Sequence, residues 1–307
     1  MRPDGLAFAG RHAKWVLAAG LAAGVALPGL ARFLADFLVP LIIAIMFLGT
    51  MRLHPRAAQL VYQRPGLAVG QILLIQLLCP LLAAFGFWSA GLMGTPVATG
   101  VIVVLSGPAI VSSPNIAAIL GLDDALAMRI AIWGTCLVPL TALPALLILF
   151  GSADALAVGH AALRLAAIIA IAGGLGHLLR RVMLPDLSTT GLQRLDGLSA
   201  LTLGVFVIAL MPALRSTFDA NPVELMGWIA LAFGVNFGSQ WAVFRFFRTR
   251  TDHACAGGFA LTAGNRNFAL FFAALAPEHT APMLPFLAAY QLPMFLTPLA
   301  LGWMYRR

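Results

Sequence analysis

The chain has 307 residues, of which 61% are hydrophobic and only 10% are charged, and its mean hydropathy is +0.94. A soluble domain averages about 25% charged and about 45–50% apolar residues, so this composition excludes a water-soluble globular protein. The formal net charge of +8 would suggest nucleic-acid binding in a soluble protein. In a membrane protein, basic residues instead collect in cytoplasmic loops, and we therefore expect the lipid bilayer, and no nucleic acid, as a partner.

Ten apolar segments, separated by charged residues or by Gly and Pro, are long enough to cross a bilayer, which takes ~20 apolar residues each. In chain order they are residues 14–31, 37–54, 66–88, 95–121, 124–150, 155–179, 195–214, 222–244, 254–277 and 281–304. The sequence therefore predicts an all-α polytopic membrane protein with ten transmembrane helices in a single membrane domain over residues 1–307.

The basic residues divide unevenly between the two sides that this count defines. Fourteen of the nineteen lie at the termini or after even-numbered segments: Arg2, Arg11, Lys14, Arg52, Arg56, Arg64, Arg180, Arg181, Arg194, Arg245, Arg248, Arg250, Arg306 and Arg307. Because basic residues favour the cytoplasmic side, both termini are predicted to be cytoplasmic. A composition rich in Ala and Arg, with one lysine, is typical of GC-rich bacterial genomes, and we expect a multi-pass protein of the inner membrane.

The first five segments, residues 14–150, share features with the last five, residues 155–304. An odd-numbered repeat inserts upside down the second time, which makes the arrangement an inverted five-plus-five repeat. The fourth and ninth segments are both interrupted, and Asn115 and Asn267 in them are 152 residues apart. The fifth and tenth segments share two prolines at a spacing of 154 residues: Pro139 and Pro144, then Pro293 and Pro298.

The interruptions remove backbone groups from helical hydrogen bonding. The fourth segment contains LSGPAIVSSPN at residues 105–115, and the ninth contains LTAGNRNF at residues 261–268. In hydrocarbon an unsatisfied backbone group costs several kcal/mol, so irregular backbone persists only where protein or a water-filled cavity satisfies it. A matched pair of broken helices is the sequence feature that best indicates the central site of a secondary transporter.

Ten helices in an inverted repeat, broken in the fourth at Ser113-Pro114-Asn115 and in the ninth at residues 264–267, resemble the bile acid:sodium symporter family. The chain is similar to a divergent prokaryotic member. The resemblance implies that discontinuous helices four and nine cross near the membrane centre in a core domain, while the remaining helices form a panel domain. It also implies secondary transport of an organic anion, bile-acid-like or a small carboxylate, by alternating access. Sodium would be the coupling ion, with no other cofactor.

The residue match at the two breaks is partial. Ser113 and Asn115 match the family's polar pair that helps to coordinate sodium, and Gln76 in the third segment matches a glutamine facing the second sodium site. These three are the candidate metal ligands. Gly264 and Asn267 match the glycine and asparagine of the second crossing. The full set of candidate substrate- or ion-binding residues is Gln76, Ser112, Ser113, Asn115, Thr262, Gly264, Asn265, Arg266 and Asn267.

Two positions depart from the family's pattern. Thr262 stands where the family has an acidic residue shared between its sodium sites, and Arg266 stands where it has a glutamine. The hydroxyl ligands expected early in the fifth segment fall near Ala127 and Ala131. Sodium in a membrane interior favours several oxygen ligands and a negative charge, whereas a guanidinium stays protonated. We therefore expect a weakened first sodium site and no second one, with Arg266 in its place as a tethered cation. Alternatively, Arg266 pairs directly with an anionic substrate.

The alternative function is a sodium-independent or proton-coupled carrier of the same crossed-helix architecture, similar to auxin-efflux or arsenite-efflux carriers. Asp and Glu are absent from both breaks, which disfavours proton coupling through them. The chain has no Gly-rich, Lys-containing nucleotide loop, so we expect no direct drive by ATP. We also expect no enzymatic activity, because no histidine lies deep in a segment to activate a serine. The sequence leaves the substrate, the direction of transport and the oligomeric state open.

Overall fold

The computed structural model describes residues 4–52, 65–151 and 155–306. The structure is 85% helical, and no β-strand occurs within these ranges. Part of the sequence prediction lies outside the described residues, namely the end of the second segment at residues 53–54 and four basic residues: Arg2, Arg56, Arg64 and Arg307.

The helices of the described residues have lengths between one turn and about nine turns. Helix α5 contains a π-helical stretch at Leu73–Leu78 and helix α10 contains another at Ile169–Gly173. In chain order the helices are α1 Gly5–Arg11, α2 Ala13–Ala26, α3 Pro28–Ala35, α4 Leu38–Met51, α5 Pro65–Ser89, α6 Pro96–Ser106, α7 Ser113–Ile119, α8 Asp124–Thr141, α9 Leu143–Phe150, α10 Ala155–Met183, α11 Thr189–Ala220, α12 Pro222–Phe247, α13 His253–Gly264, α14 Ala269–Ala274, α15 Pro277–Ala300 and α16 Gly302–Tyr305.

Five of the described helices are long and apolar enough to cross a membrane, namely α5, α8, α10, α11 and α15. Helices α2 and α3 together would make a sixth span, but they are bent by 105° at the break before Pro28. Proline lacks an N–H group and its ring clashes with the preceding turn, so the single span predicted over residues 14–31 is wrong as a continuous helix. The described part of the chain is therefore all-helical, with five to six candidate membrane spans.

Each of the ten predicted segments nevertheless contains helix. The third, residues 66–88, agrees with α5 to within a residue at each end, whereas the seventh, residues 195–214, lies within the longer α11. The fourth and ninth segments, predicted to be interrupted, are each made of two helices, α6 with α7 and α13 with α14. The fifth is also interrupted, because Pro144 lies in the first turn of α9, just after α8 ends at Thr141.

The chain divides into two compact units. The first unit comprises Met1–Ala58 with Ala167–Leu225, and the second comprises Gln59–Ala166 with Met226–Arg307. In the first unit, glycines allow α2 and α11 to pack closely, since a Cβ on Gly20 would lie 2.8 Å from the carbonyl oxygen of Gly204. Small residues commonly bring membrane helices together in this way.

The core of the second unit surrounds the broken helices. Ile72 and Ile75 of α5, Leu126 and Ile130 of α8, and Phe259 of α13 pack into one buried cluster. Helix α13 is buried along most of its length, from position 256 to its end. The breaks therefore lie inside protein, as irregular backbone in a membrane requires.

Candidate functional site

Helices α6 and α13 both end at the start of a break. Helix α6 ends at Ser106, Gly107 is extended, and the next residue is Pro108, which has no N–H group to continue the ladder. Helix α13 ends at Gly264, and Asn265 takes a non-helical conformation.

The two breaks meet and pair with each other as a short antiparallel bridge. The amide of Asn267 donates to the carbonyl oxygen of Pro108 over 2.7 Å, and the amide of Ile110 donates to the carbonyl oxygen of Asn265 over 3.0 Å. Each break thus satisfies backbone groups that the other has freed. The second unit therefore contains two helix breaks paired with each other, residues 107–112 and 265–268, which we call the crossing.

Two glycines let the crossing close. A Cβ on Gly107 would lie 3.2 Å from the backbone N and Cα atoms of Phe268, which is a tight contact. A Cβ on Gly264 would overlap the carbonyl oxygen of Asn236 and would lie 2.5 Å from Cγ of Gln240. Any larger side chain at Gly264 therefore forces α12 away from the end of α13.

Arg266 is 1% exposed, and its guanidinium lies among backbone carbonyl groups. Nε donates to the carbonyl oxygen of Ala263 over 2.7 Å, Nη1 to that of Gly107 over 2.9 Å and Nη2 to that of Ile75 over 2.7 Å. None of the ion pairs among the described residues involves Arg266. Three of the five N–H groups of the guanidinium are thus used by the backbone, which fits the expected tethered cation, and one N–H on each of Nη1 and Nη2 remains for an anion.

A buried polar network fills the space beside the second break. The amide nitrogen of Asn236 donates to the carbonyl oxygen of Gly264 over 2.9 Å and to Oδ1 of Asn265 over 3.2 Å. Nε2 of Gln240 donates to Oδ1 of Asn236 over 2.7 Å, and the hydroxyl of Tyr305 donates to Oε1 of Gln240 over 2.8 Å. The network runs from the crossing to the last helix that the structure describes.

Sequence reasoning missed three residues of this network. Besides Tyr305, the hydroxyl of Tyr290 donates to the carbonyl oxygen of Gly264 over 2.7 Å, and Thr297 lies 3.3 Å from Oδ1 of Asn265. Tyr290 and Thr297 are seven residues apart on α15, which places them on one helix face. That spacing of polar groups in an apolar helix is the signal that could have identified them.

Gln76 is fully buried in the π-helical stretch of α5. Its Nε2 donates to the carbonyl oxygen of Gly134 over 3.0 Å and to Oγ1 of Thr141 over 2.8 Å. A Cβ on Gly134 would lie 2.9 Å from Oε1 of Gln76 and 3.8 Å from Cβ of Pro108. The structure therefore places Gln76 beside the crossing.

Three buried side-chain atoms around the crossing lack a hydrogen-bond partner, namely Gln76 Oε1, Ser113 Oγ and Asn265 Nδ2; one other such atom, Arg180 Nε in the first unit, occurs among the described residues. The amide of Ser113 donates to the carbonyl oxygen of Ile110, whose own amide donates to the carbonyl oxygen of Asn265. An unpaired buried polar atom costs about 1–3 kcal/mol. Such atoms are few in native proteins and each needs an explanation, of which a bound ligand is one.

The side chains of the remaining candidate residues are less buried or already hydrogen-bonded, although Ser112 and Asn267 themselves lie in the crossing. Asn115 lies in the first turn of α7 and is exposed, while Ser112 and Asn267 are half-buried. Thr262 is fully buried, but its hydroxyl donates to the carbonyl oxygen of Phe259 over 2.7 Å within the same helix. The structure therefore brings Gln76, Ser113, Gly264, Asn265 and Arg266 together, and it does not add Asn115 to this buried group.

The residues of the crossing do not fit the second sodium site that the family resemblance implies. The carbonyl groups that converge there already accept hydrogen bonds from Arg266, whose permanent charge would repel a second cation. The positions of the expected hydroxyl ligands, Ala127 and Ala131, are buried and have no side-chain oxygen to offer.

No protein-family model matches the chain, and no curated protein is significantly similar to it. The resemblance to the bile acid:sodium symporter family therefore depends on the residues around the two breaks alone. The function of the chain has to be inferred from the geometry and the electrostatics of the crossing.

Proposed function

We propose that the chain is a secondary active transporter that moves an organic anion across the inner membrane by alternating access. The observation that carries this proposal is the buried crossing, in which Asn267 and Pro108 join two discontinuous helices. Paired broken helices recur at the binding sites of transporters built from inverted repeats. The proposal includes ten membrane crossings, an inverted five-plus-five repeat and two cytoplasmic termini.

The division of the chain into two units supports an inverted repeat. Each unit takes one part from the first half of the sequence and one from the second, namely residues 1–58 with 167–225 and residues 59–166 with 226–307. In a protein built from two repeats, a helix of the first repeat and its equivalent in the second are expected to belong to the same unit. Alternating access needs two such bodies, one of which contains the site. In this chain, the second unit contains the entire crossing.

The charge at the crossing favours an anion as the transported species. Arg266 is buried and has no ion-pair partner among the described residues, so its positive charge is compensated only by carbonyl dipoles. In a region of low dielectric constant this charge attracts an anion over several ångströms. Nδ2 of Asn265 and the hydroxyl of Ser113 are two further buried groups with capacity to donate hydrogen bonds to such an anion.

The coupling in this proposal is independent of sodium. The guanidinium of Arg266 already donates hydrogen bonds to the carbonyl oxygens that converge on the crossing, and its charge compensates their partial negative charges. A bound cation would play the same role. Acidic residues are absent from both breaks, so these segments offer no carboxyl group for proton coupling. We therefore favour exchange of the anion for another anion over sodium symport.

The experiment is counterflow in proteoliposomes that contain KCl on both sides, with labelled taurocholate and labelled pyruvate as the two probes. We expect at least one labelled anion to accumulate against a preloaded unlabelled pool. Ser113→Ala removes a buried hydroxyl that has no partner, so it should lower the rate of counterflow about tenfold, the effect of losing one hydrogen bond to the anion.

Ser106→Ala is the matched control. Ser106 is equally buried in the same segment, but its hydroxyl donates to the carbonyl oxygen of Ile102 over 2.8 Å, so it has no hydrogen left to donate to an anion. We expect Ser106→Ala to transport at the rate of the unmodified protein. Counterflow no faster than in empty liposomes for both probes, or equal rates for the two variants, would contradict the proposal.

A further inference from the structure

The three oxygen atoms around the guanidinium of Arg266 all come from backbone groups that the helices leave free. Gly107 and Ala263 lie at the C-terminal ends of α6 and α13, where the last four carbonyl groups of a helix have no intrahelical partner. Each helix end also concentrates the negative end of the helix dipole at these oxygens. Two of the three oxygens are therefore both unpaired and electronegative before Arg266 binds them.

The third oxygen, that of Ile75, is free because of a local irregularity in α5. In the π-helical stretch the amide of Cys79 donates to Leu74, one residue earlier than in an α-helix. The next donor in this pattern would be Pro80, which has no N–H group. The carbonyl oxygen of Ile75 thus has no helical donor, and Nη2 of Arg266 donates a hydrogen bond to it over 2.7 Å.

Convergence of carbonyl oxygens from separate helix ends is the arrangement with which membrane proteins hold small cations. We propose that the carbonyl oxygens of Ile75, Gly107 and Ala263 form a monovalent-cation site that the chain fills with its own guanidinium. These oxygens belong to the backbone, so shortening the side chain at position 266 leaves them in place. An alanine variant is then a receptor for a free cation, and guanidinium fits best because it reproduces the planar donors of arginine.

The test is thermal unfolding of purified Arg266→Ala in detergent, with guanidinium chloride titrated to 20 mM and choline chloride as the control salt. The variant should unfold at a lower temperature than the unmodified protein, and guanidinium should restore about 3 °C or more in a saturable way. Sodium and potassium, as separate titrations, should give smaller shifts. The unmodified protein should show no stabilisation by any of these cations, since its site is filled.

A second comparison applies if Arg266→Ala cannot be purified, with or without guanidinium. Arg266→Lys keeps a positive charge and N–H donors near the three oxygens, whereas Arg266→Met has a similar length and neither property. We expect the lysine variant to unfold at the higher temperature by about 3 °C. The proposal is overturned if guanidinium fails to stabilise Arg266→Ala beyond choline or, where that variant is lost, if the lysine and methionine variants unfold together. These readouts do not require transport, so this proposal and the proposed function fail separately.

Discussion

The amide of Asn267 donates to the carbonyl oxygen of Pro108 over 2.7 Å, and this bond joins residues that are far apart in the sequence at the centre of the second unit. Neither group has a helical partner, because each lies in the break of a discontinuous helix. Backbone groups in a membrane interior have to be satisfied by protein or by a lined cavity. The stability of the crossing therefore depends on how closely the two breaks approach, which the glycines beside them control.

Gly264→Ala should destabilise the protein by about 1–3 kcal/mol, the usual cost of overpacking a buried site. Its Cβ would overlap the carbonyl oxygen of Asn236, and backbone atoms have little room to move. Gly234→Ala on α12 is the control, because a Cβ there meets nothing within 4 Å and alanine favours the helix. Unfolding temperatures in detergent measure both effects. Equal unfolding temperatures for the two variants would show that the approach at Gly264 is not tight.

Tyr305→Phe should lower the unfolding temperature more than Tyr290→Phe. The hydroxyl of Tyr305 is the donor that the structure describes for Oε1 of Gln240, so its removal leaves a buried oxygen unpaired at a cost of about 1–3 kcal/mol. The carbonyl of Gly264 loses Tyr290 but keeps a hydrogen bond from Asn236 at 2.9 Å. The reverse order of unfolding temperatures would contradict the network as described.

The proposed count of ten membrane crossings makes a prediction for α12, which is not among the five long apolar helices. Alkaline phosphatase fused after Asn221 should be active, because that position is predicted to face outward, whereas a fusion after Thr251 should be inactive. A fusion at the C-terminus should also be inactive. Equal activity of the fusions at positions 221 and 251 would show that α12 does not cross the membrane and that the count is wrong.

Asp252 should make the stability of α13 depend on pH. Its carboxylate caps the helix by accepting from the amide of Cys255 over 2.9 Å, and this bond holds the pKa of the carboxyl below its usual value. Because the folded state favours the ionised form, the stabilisation is complete above the unfolded pKa of about 3.9 and is lost as the pH falls through the lower folded value.

We therefore expect Asp252→Ala to cost about 1 kcal/mol at pH 7, a typical value for a lost N-cap. The difference in unfolding temperature from the unmodified protein should be constant from pH 7 to pH 5 and should shrink below about pH 4. Asp252→Asn, which keeps a capping oxygen, should lie between the two at pH 7. A difference that stays unchanged down to pH 3 would mean that ionisation of Asp252 does not contribute.

The helical segments and the two breaks could be predicted from the sequence because their causes are local. Long apolar stretches form helices, and the glycine and proline at positions 107 and 108 interrupt one of them at the predicted place. Pro28 has the same local effect, although the sequence analysis predicts a continuous first span through it, and the structure shows a bend of 105° there. A proline inside an apolar segment therefore indicates a break in the first helix as it does in the fourth.

Two of the three partners of Arg266 could not be predicted, because they come from residues 159 and 191 positions away in the chain. The sequence indicates a buried cation but leaves open whether it meets a carboxylate, a substrate or the backbone. The release of the Ile75 carbonyl depends on a π-helical stretch, for which Pro80 is the only local sign. Likewise, the exposure of Asn115 follows from the orientation of α7, which a residue spacing taken from the family does not determine.

The most direct measurement is counterflow of the labelled anion by the unmodified protein, with NaCl, KCl or choline chloride on both sides of the membrane. If the guanidinium of Arg266 replaces a coupling cation, the initial rate of counterflow should be the same in all three salts. Transport that requires sodium, and falls to the level of empty liposomes in potassium and in choline, would contradict the account and would mean that a sodium site exists beside Arg266.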